Sequence, residues 1–172
     1  MKIGEGFVGK GANAAHINVV LGLRDGPVGT AWATALATPR EGHVPFVAVA
    51  QPNMPVVPFT LFVNKAAIAN DRHGELTWGA AQAGVAAGVG LAHHARVFEG
   101  DVDYVNSLVL IVAVWVNPSA GQEQIAGQEE TVFANNRDAT FAALQQARDA
   151  GPDLGQALAA MANPSNPYFR TT

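Results

Sequence analysis

Residues 16–22 read HINVVLG, and this segment is the most informative one for the fold. Side chains of an extended segment alternate between two faces, so Ile17, Val19 and Leu21 share one apolar face. His16 and Asn18 open the other face with an imidazole and an amide. The pattern predicts a strand with one buried face and a polar pair at the rim of a cleft. A simpler interpretation of His16 is that it caps the strand and donates to a nearby carbonyl.

Outward from this strand, the chain alternates pairs of strands with helices. Apolar alternation predicts the strands, and glycine or proline marks most of their ends. The order β-β-α-β-β-α-β-α-α indicates an α/β chain of the α+β type. We expect a two-layer sandwich with a mixed sheet and helices on one face, not a doubly wound nucleotide fold. The predicted strands are residues 5–9, 16–22, 43–50, 59–68 and 107–116, and the predicted helices are residues 28–37, 75–97, 131–150 and 153–162.

The long predicted helix over residues 75–97 is rich in small side chains. Glycine disfavours a helix by roughly 1 kcal/mol each. Gly84 and Gly88 lie four residues apart, on one side of that helix. Their presence predicts close backbone packing, either on the sheet or on a neighbouring subunit.

Length and composition limit the classes of protein to which this chain can belong. A length of 172 residues predicts one domain, residues 1–172. The net charge of −4, without a basic cluster, argues against a nucleic-acid partner. The absence of cysteine excludes disulfides and thiolate metal sites. The first residues lack the apolar region of a signal peptide, and the longest apolar run, residues 108–116, is too short to span a bilayer. We expect a cytoplasmic protein without a membrane partner.

Two nucleotide-binding patterns fail on context. Residues 4–9 fit G-x-G-x-x-G, but the fingerprint requires a preceding strand and a following helix, and here a strand runs through it. The same residues with Lys10 resemble a phosphate loop, in which the next residue is Ser or Thr. That position is Gly11.

The remaining histidines and acidic pairs predict no metal site. His93 and His94 point about 100° apart on a helix, and histidines near a helix C-terminus are favoured by its dipole. Two carboxylates at residues 101 and 103 are most simply solvated. His43 and His73 stand beside glycines in predicted turns, so we expect them on the surface.

Lys65 and Gln82 are candidate ligand contacts. Lys65 interrupts the predicted apolar strand over residues 59–68, where burial of a cation without a partner is costly. It either reaches into a cleft toward an acidic or carbonyl-bearing ligand or protects a sheet edge from aggregation. Gln82, between two alanines, either meets the amide edge of a ligand or bonds the backbone.

Several stretches together resemble the formaldehyde-activating enzyme family. Their order and spacing hold from about residue 4 to residue 88, and the later similarity is looser, around Trp115 and Pro167-Tyr168-Phe169. The matching stretches are Gly4-Glu5-Gly6-Phe7-Val8-Gly9, Ala15-His16-Ile17, Val47-Ala48-Val49 with Pro52-Asn53-Met54-Pro55, Thr60-Leu61-Phe62-Val63-Asn64-Lys65, and Ala81-Gln82 with Gly84-Val85.

The resemblance implies a single formaldehyde-activating-enzyme-like domain, folded like the second domain of ribosomal protein S5. It implies a homopentamer with active sites between neighbouring subunits. It also implies condensation of formaldehyde with tetrahydromethanopterin, a reduced pterin co-substrate, with no bound cofactor or metal. This lyase reaction belongs to one-carbon metabolism and formaldehyde detoxification. By the resemblance His16 is the general acid, and the pterin contacts are Asn18, Val47, Lys65, Ala67 and Gln82.

The chemistry suits a histidine. When N5 of the pterin adds to formaldehyde it gives a carbinolamine, which loses water far more easily once its hydroxyl is protonated. A side chain that titrates near neutrality is the natural donor. The resulting iminium is captured by N10.

Three positions depart from the family. Its aspartate two residues after the histidine is Asn18 here, its threonine two residues after the lysine is Ala67, and its histidine after the glutamine is Ala83. These changes predict a divergent homologue with an altered substrate preference or rate. Two other functions remain open: a non-catalytic protein that binds or senses a pterin or a one-carbon adduct, and an oligomerising scaffold.

Overall fold

The computed structural model describes residues 1–122, 125–149, 153–166 and 169. Its main feature is a five-stranded sheet in the order β1-β2-β7-β6-β3, beside which β4 and β5 form a two-stranded sheet. β6 runs parallel to β7 and the other pairs in the main sheet are antiparallel, so the sheet is mixed. The strands are β1 (Lys2–Val8), β2 (Ala15–Leu23), β3 (Phe46–Val47), β4 (Val49–Gln51), β5 (Met54–Pro55), β6 (Phe59–Asn64) and β7 (Leu108–Val116).

Helices α3 and α5 pack on each other and, with the sheet, enclose the core. The predicted two-layer α+β sandwich with a mixed sheet is therefore confirmed. A π-helical segment, Leu76–Ala81, joins α2 to α3 without a break. In the described part of the chain, no helix is long and apolar enough to cross a membrane. The helices are α1 (Pro27–Ala37), α2 (Asp71–Glu75), α3 (Gln82–His94), α4 (Val102–Asn106), α5 (Gln128–Arg148) and α6 (Leu154–Ala162).

The inner face of β1 is made of glycines because α5 comes very close to it. A Cβ added at Gly4 would lie 1.9 Å from the carbonyl oxygen of Ala143, and one at Gly6 would lie 2.0 Å from that of Ala139. Backbone therefore packs on backbone, and only glycine fits. Gly6 pairs with Ile17, whose side chain is fully buried, so these glycines and the apolar residues of β2 form one inner face.

The small residues of α3 serve a helix–helix contact. A Cβ at Gly84 would lie 2.5 Å from the carbonyl oxygen of Phe133, and one at Gly88 would lie 2.6 Å from that of Arg137. Both carbonyls belong to α5. The close backbone packing predicted from the sequence is therefore present, but its partner is α5 rather than the sheet or a neighbouring subunit.

Several predicted boundaries move. The strand predicted at residues 43–50 is split around buried Ala48, whose N–H donates to Thr60 and whose carbonyl accepts from Val56. β1 begins earlier than predicted, at Lys2, and the helix predicted at residues 75–97 begins at residue 71 and ends at residue 94. The helix predicted at residues 131–150 begins at residue 128, and Ala150 lies outside the described residues, as do Pro167 and Tyr168 of the tail.

The strand predicted at residues 59–68 is shorter, and this changes the setting of Lys65. β6 ends at Asn64, whose side-chain amide donates to the carbonyls of Gly42 and Ala66. Lys65 follows the strand, and its N–H still donates to Val114 on β7 at 2.7 Å. The prediction that Lys65 lies inside the strand is wrong. It stands at the strand end, where the chain leaves the sheet.

Candidate functional site

The outer face of β1 and β2 carries the polar side chains singled out in the sequence. Glu5 lies opposite Asn18 and Phe7 lies opposite His16 in the antiparallel ladder. Residues opposite each other share a face, so all four point away from the glycine face and α5. The rings of Phe7 and His16 meet edge to face, with centroids 5.9 Å apart. His16 is thus packed against an aromatic ring, with 22% of its side chain exposed.

A carboxylate holds His16. Nε2 of His16 lies 2.5 Å from Oε1 of Glu5, which is an ion pair when the imidazole carries both protons. Hydrogen bonding to His16 holds the pKa of Glu5 below its usual value, although partial burial of the carboxyl acts in the other direction. Glu5 is therefore ionised at neutral pH and fixes the orientation of the ring. This contact occupies Nε2 and leaves Nδ1 as the ring nitrogen that can face a substrate.

Asn18 links the same carboxylate to Lys65. Its amide nitrogen lies 3.5 Å from Oε1 of Glu5, at the long limit of a hydrogen bond, and its amide oxygen accepts from Nζ of Lys65 at 2.8 Å. His16, Glu5, Asn18 and Lys65 therefore form one continuous polar row, named here the outer-face row. It brings together three residues predicted from sequence and one that was not.

The reach of Lys65 to Asn18 depends on a small residue between them. Asn18 pairs with Ala113 on β7, and Ala113 pairs with Val63 on β6, so these three side chains share the outer face. A lysine just past the end of β6 must extend over β7 to contact β2. Alanine at position 113 leaves this path free for the lysine stem.

Lys65 is half-buried where its ammonium meets the neutral amide of Asn18. Burial lowers the pKa of Lys65 to about 8, and the negative charge of Glu5 offsets only part of that effect. Desolvation disfavours the charged form of a lysine, so a substantial fraction of this amine is neutral slightly above physiological pH. The outer-face row thus contains a carboxylate, an imidazole and an amine that is easily deprotonated.

The other three predicted contacts have different partners. Gln82 is buried at the start of α3, and its side-chain oxygen accepts from the N–H of Val49 at 2.7 Å, which is the structural alternative considered for it. Val47 pairs with Leu61 across β3 and β6. Ala67 is exposed beyond the end of β6. The contacts that join the outer-face row do not include these three residues.

Glu5 is the site residue that sequence reasoning missed. It lies within the glycine pattern at residues 4–9, which was considered as a nucleotide fingerprint and as a stretch similar to the family, with no role given to the carboxylate. The signal was the alternation Gly4-Glu5-Gly6, which places a carboxylate on the face opposite two glycines. Its proximity to His16 depends on the register of β1 on β2, which the two strand sequences do not specify by themselves.

His73 corrects a second prediction, because it is buried rather than on the surface. Its ring nitrogens contact the N–H of Ala69 at 3.1 Å and the carbonyl of Val116 at 3.0 Å. It ties α2 to the end of β7, so its role is structural. Within the described ranges, no group of three or more His, Cys, Asp or Glu side chains could hold a metal ion.

A cavity in the described structure lies elsewhere. A space of about 470 Å³ at the opposite end of β1 and β2 is lined by Leu21, Phe98, Tyr104 and Arg148 among others. None of the residues in the outer-face row lines it. The row instead lies on the outer face of the sheet, where the side chains of Glu5 and His16 are 55% and 22% exposed.

This arrangement suits proton transfer from His16 to a neutral oxygen of a bound molecule, in a row that also contains the amine of Lys65. A histidine held by a carboxylate can donate a proton from its free nitrogen and take it back. Such an arrangement serves dehydration steps, in which hydroxide must leave as water.

Comparison of the sequence with protein families gives a match over residues 3–169 to the family described as "Formaldehyde-activating enzyme (Fae)". The chain is 34% identical over 168 residues to the 5,6,7,8-tetrahydromethanopterin hydro-lyase of Methanosarcina barkeri, covering 96% of this chain and 89% of that protein.

Longer relatives match over only part of their length. The chain is 35% identical over 158 residues to the bifunctional enzyme Fae/Hps of Methanosphaera stadtmanae, and 35% identical over 152 residues to that of Methanoculleus marisnigri. These alignments cover 92% and 88% of this chain, and each spans 37% of the bifunctional protein.

Proposed function

The chain belongs to the formaldehyde-activating enzyme family, and on that premise we propose that it condenses formaldehyde with tetrahydromethanopterin. The products are methylene-tetrahydromethanopterin and water, so the proposed enzyme is a lyase of the hydro-lyase type. The observation that carries the proposal is the outer-face row, in which His16 is held by Glu5 at 2.5 Å beside Lys65. A relative named as a tetrahydromethanopterin hydro-lyase, similar over nearly its whole length, supports the choice of pterin.

His16 is the general acid in this proposal. N5 of the pterin adds to formaldehyde, and Nδ1 of the His16 imidazolium donates a proton to the hydroxyl of the carbinolamine, which leaves as water. Glu5 keeps its hydrogen bond to Nε2 throughout, so the neutral ring keeps the orientation needed to accept a proton later. N10 then closes the ring on the methylene carbon, and its proton returns to His16. General acid–base catalysis of this kind contributes typically about 10²- to 10⁴-fold to a rate.

The pterin is held at Asn18, Val47, Lys65, Ala67 and Gln82 in this proposal. Asn18 and Lys65 support it directly, because both are half-buried polar groups on the same open face as His16. The side-chain oxygen of Gln82 already accepts from the N–H of Val49 and so fixes β4, and its amide nitrogen is the group that we assign to the ligand. Ala67 offers a methyl group where a hydroxyl would hydrogen-bond, so we expect weaker pterin binding at that point.

We place the working enzyme in a homopentamer in the cytoplasm, as a single domain over residues 1–172 that serves one-carbon metabolism. The openness of the outer face supports assembly, because Ile3 is 60% exposed and Phe7 is 36% exposed beside the row. Exposed apolar side chains next to a polar site are typical of surfaces that another subunit covers.

The test is the rate of methylene-tetrahydromethanopterin formation from formaldehyde, compared among wild type, His16→Ala and a sample without protein. The matched control is His94→Ala, which removes an exposed histidine from the end of α3. We expect a wild-type rate well above the blank, a rate in His16→Ala at least tenfold lower, and no change in His94→Ala. A wild-type rate equal to the blank, with pterin still bound, would instead favour a binding or sensing protein.

A further inference from the structure

Lys65 has the setting of a nucleophile as well as that of a binding residue. Its Nζ donates to the amide oxygen of Asn18, a neutral acceptor, at 2.8 Å. The residue is half-buried, and it stands just past the end of β6, in the same outer-face row as His16. An amine attacks a carbonyl through its lone pair, so only its neutral form reacts.

The neutral form is populated. Burial lowers the pKa of Lys65 to about 8, so roughly a tenth of this amine is neutral at pH 7, against less than about 0.1% for an ordinary lysine. The carboxylate of Glu5 is the charged group that acts against this effect, and it is already hydrogen-bonded to His16. A neutral primary amine of this kind adds to the carbonyl carbon of an aldehyde, which is the first step of Schiff-base catalysis by lysine.

We infer that Lys65 takes up formaldehyde covalently, as a methylene iminium, and transfers the methylene group to the pterin. This inference rests on the proposed function and deepens it, because it places the one-carbon unit on the protein before the pterin reacts. His16 then serves as acid and base for a lysine adduct as well as for the pterin adduct.

The first half of the reaction loads the lysine. The lone pair of Nζ adds to the carbon of formaldehyde, the former carbonyl oxygen gains a proton and Nζ loses one, giving N-hydroxymethyl-lysine. His16 imidazolium donates a proton to the hydroxyl, which leaves as water, while the nitrogen lone pair forms the C=N bond. The products are a methylene iminium on Lys65 and a neutral His16.

The second half transfers the carbon. N5 of the pterin attacks the methylene carbon, the C=N electron pair returns to Nζ, and the N5 proton passes to His16. In the resulting aminal, the methylene group bridges Nζ and N5. Nζ takes the proton from His16 and leaves as the free amine of Lys65, while the lone pair of N5 forms the new C=N bond. N10 closes on this carbon and releases its proton to His16. The sum is formaldehyde plus pterin giving methylene-pterin and water, with both side chains restored.

Reductive trapping without pterin tests the inference separately from turnover. The chain has three lysines, and Lys2 and Lys10 are exposed internal references. A short pulse of ¹³C-formaldehyde with cyanoborohydride at pH 7 converts each iminium to methyl-lysine, and peptide mass spectrometry gives the rate at each site. We expect methylation of Lys65 at least ~10-fold faster than of Lys2 or Lys10, because its neutral fraction is larger.

Asn18→Asp provides the matched control, since a carboxylate at Nζ favours the ammonium form. We expect methylation of Lys65 in that variant to slow several-fold, while Lys2 and Lys10 are unchanged. A rate at Lys65 equal to or below that of the reference lysines in wild type would overturn the inference.

Lys65→Arg, assayed for turnover, separates the two proposals. It keeps a cation near Asn18 but cannot form the iminium. A His16-dependent rate that survives undiminished in Lys65→Arg would leave the lyase standing and remove the covalent step. Selective trapping at Lys65 in a protein that shows no turnover would support capture of formaldehyde by the amine, but it would overturn both the lyase proposal and the transfer of the methylene group to the pterin.

Discussion

The two faces of β1 and β2 are built from alternate residues of the same strands and differ completely in kind. On the inner face, Gly4 and Gly6 bring backbone against α5 with no space for a methyl group. On the outer face, Glu5 between them is half-exposed, and its carboxylate and its backbone N–H make hydrogen bonds. Packing thus fixes where the strand lies, and polar contacts fix what its outer side chains can do.

Alternate residues of the same strands therefore serve different purposes: those on the inner face determine stability, and those on the outer face determine the chemistry. A substitution on the inner face changes the distance between layers, and its cost appears in the free energy of unfolding. A substitution on the outer face leaves the layers in place, and its cost appears in binding or rate. The substitutions that probe this separation are Gly6→Ala, Glu5→Gln, Asn18→Asp and Lys65→Met, with Gly79→Ala and Asn135→Asp as controls.

Gly6→Ala should destabilise the fold most. Its Cβ would lie 2.0 Å from the carbonyl oxygen of Ala139, a backbone atom that cannot move without shifting α5. We expect a loss of about 3 kcal/mol or more in the free energy of unfolding, measured by urea denaturation. Gly79→Ala is the control, because a Cβ there has no neighbour within 4 Å in the described structure. It should be neutral or slightly stabilising; equal losses in both variants would contradict the inner-face account.

Glu5→Gln should reduce turnover and leave stability nearly unchanged. The amide can still accept from His16, but it no longer supplies a negative charge to the imidazolium. Hydrogen bonds to charged groups are worth about 1.5–3 kcal/mol, so we expect a roughly tenfold or greater fall in kcat. The unfolding midpoint should change little, since the side chain is 55% exposed. A full rate in this variant would remove Glu5 from the mechanism.

Asn18→Asp should raise the pKa of Lys65 above its present value of about 8, because a carboxylate at Nζ favours the ammonium. The titration can be followed by NMR of the lysine Cε–Hε groups, which are few and therefore resolvable. Asn135→Asp, on α5, is a control that adds the same charge elsewhere. An unchanged Lys65 titration in Asn18→Asp would show that the contact at 2.8 Å is not retained in solution.

The smallest effect concerns stability at alkaline pH. The folded-state pKa of Lys65 is lowered by burial from 10.5 to about 8, so between these values the unfolded chain binds more protons than the folded one. Stability therefore gains a contribution as pH rises from about 8 toward 10.5. Because the lysine is half-exposed, solvent screening limits this gain to less than about 1 kcal/mol. Lys65→Met should lack it, and parallel pH-dependent slopes for the two proteins would contradict the buried setting of Lys65.

The strand and helix content could be predicted because the periodicity is local. Ile17, Val19 and Leu21 define the buried face of β2 through alternation alone, and the structure buries all three. The resemblance that identified the family rested on similar short stretches. The split between β3 and β4 could not be predicted, since it depends on hydrogen bonds that Ala48 makes to two other segments.

The site was partly predictable for the same reason. His16 and Asn18 share a face by alternation, and the structure joins them through one carboxylate. That carboxylate was missed because contact between Glu5 and His16 depends on strand register, a property of two segments together. His73 was placed on the surface because a glycine follows it, whereas the N-cap at Asn70 turns this segment into a helix and directs the ring inward.

The position of β1 at the end of the sheet gives the outer-face row a dynamic property. An edge strand has one hydrogen-bonded neighbour, so local opening starts there more easily than at central β7. Opening of β1 would withdraw Glu5 from His16 and Asn18 while the rest of the molecule stays folded. The glycine contacts with α5 therefore help to keep Glu5 in contact with His16, the proposed proton donor. Amide exchange in β1 would report how often this contact is lost.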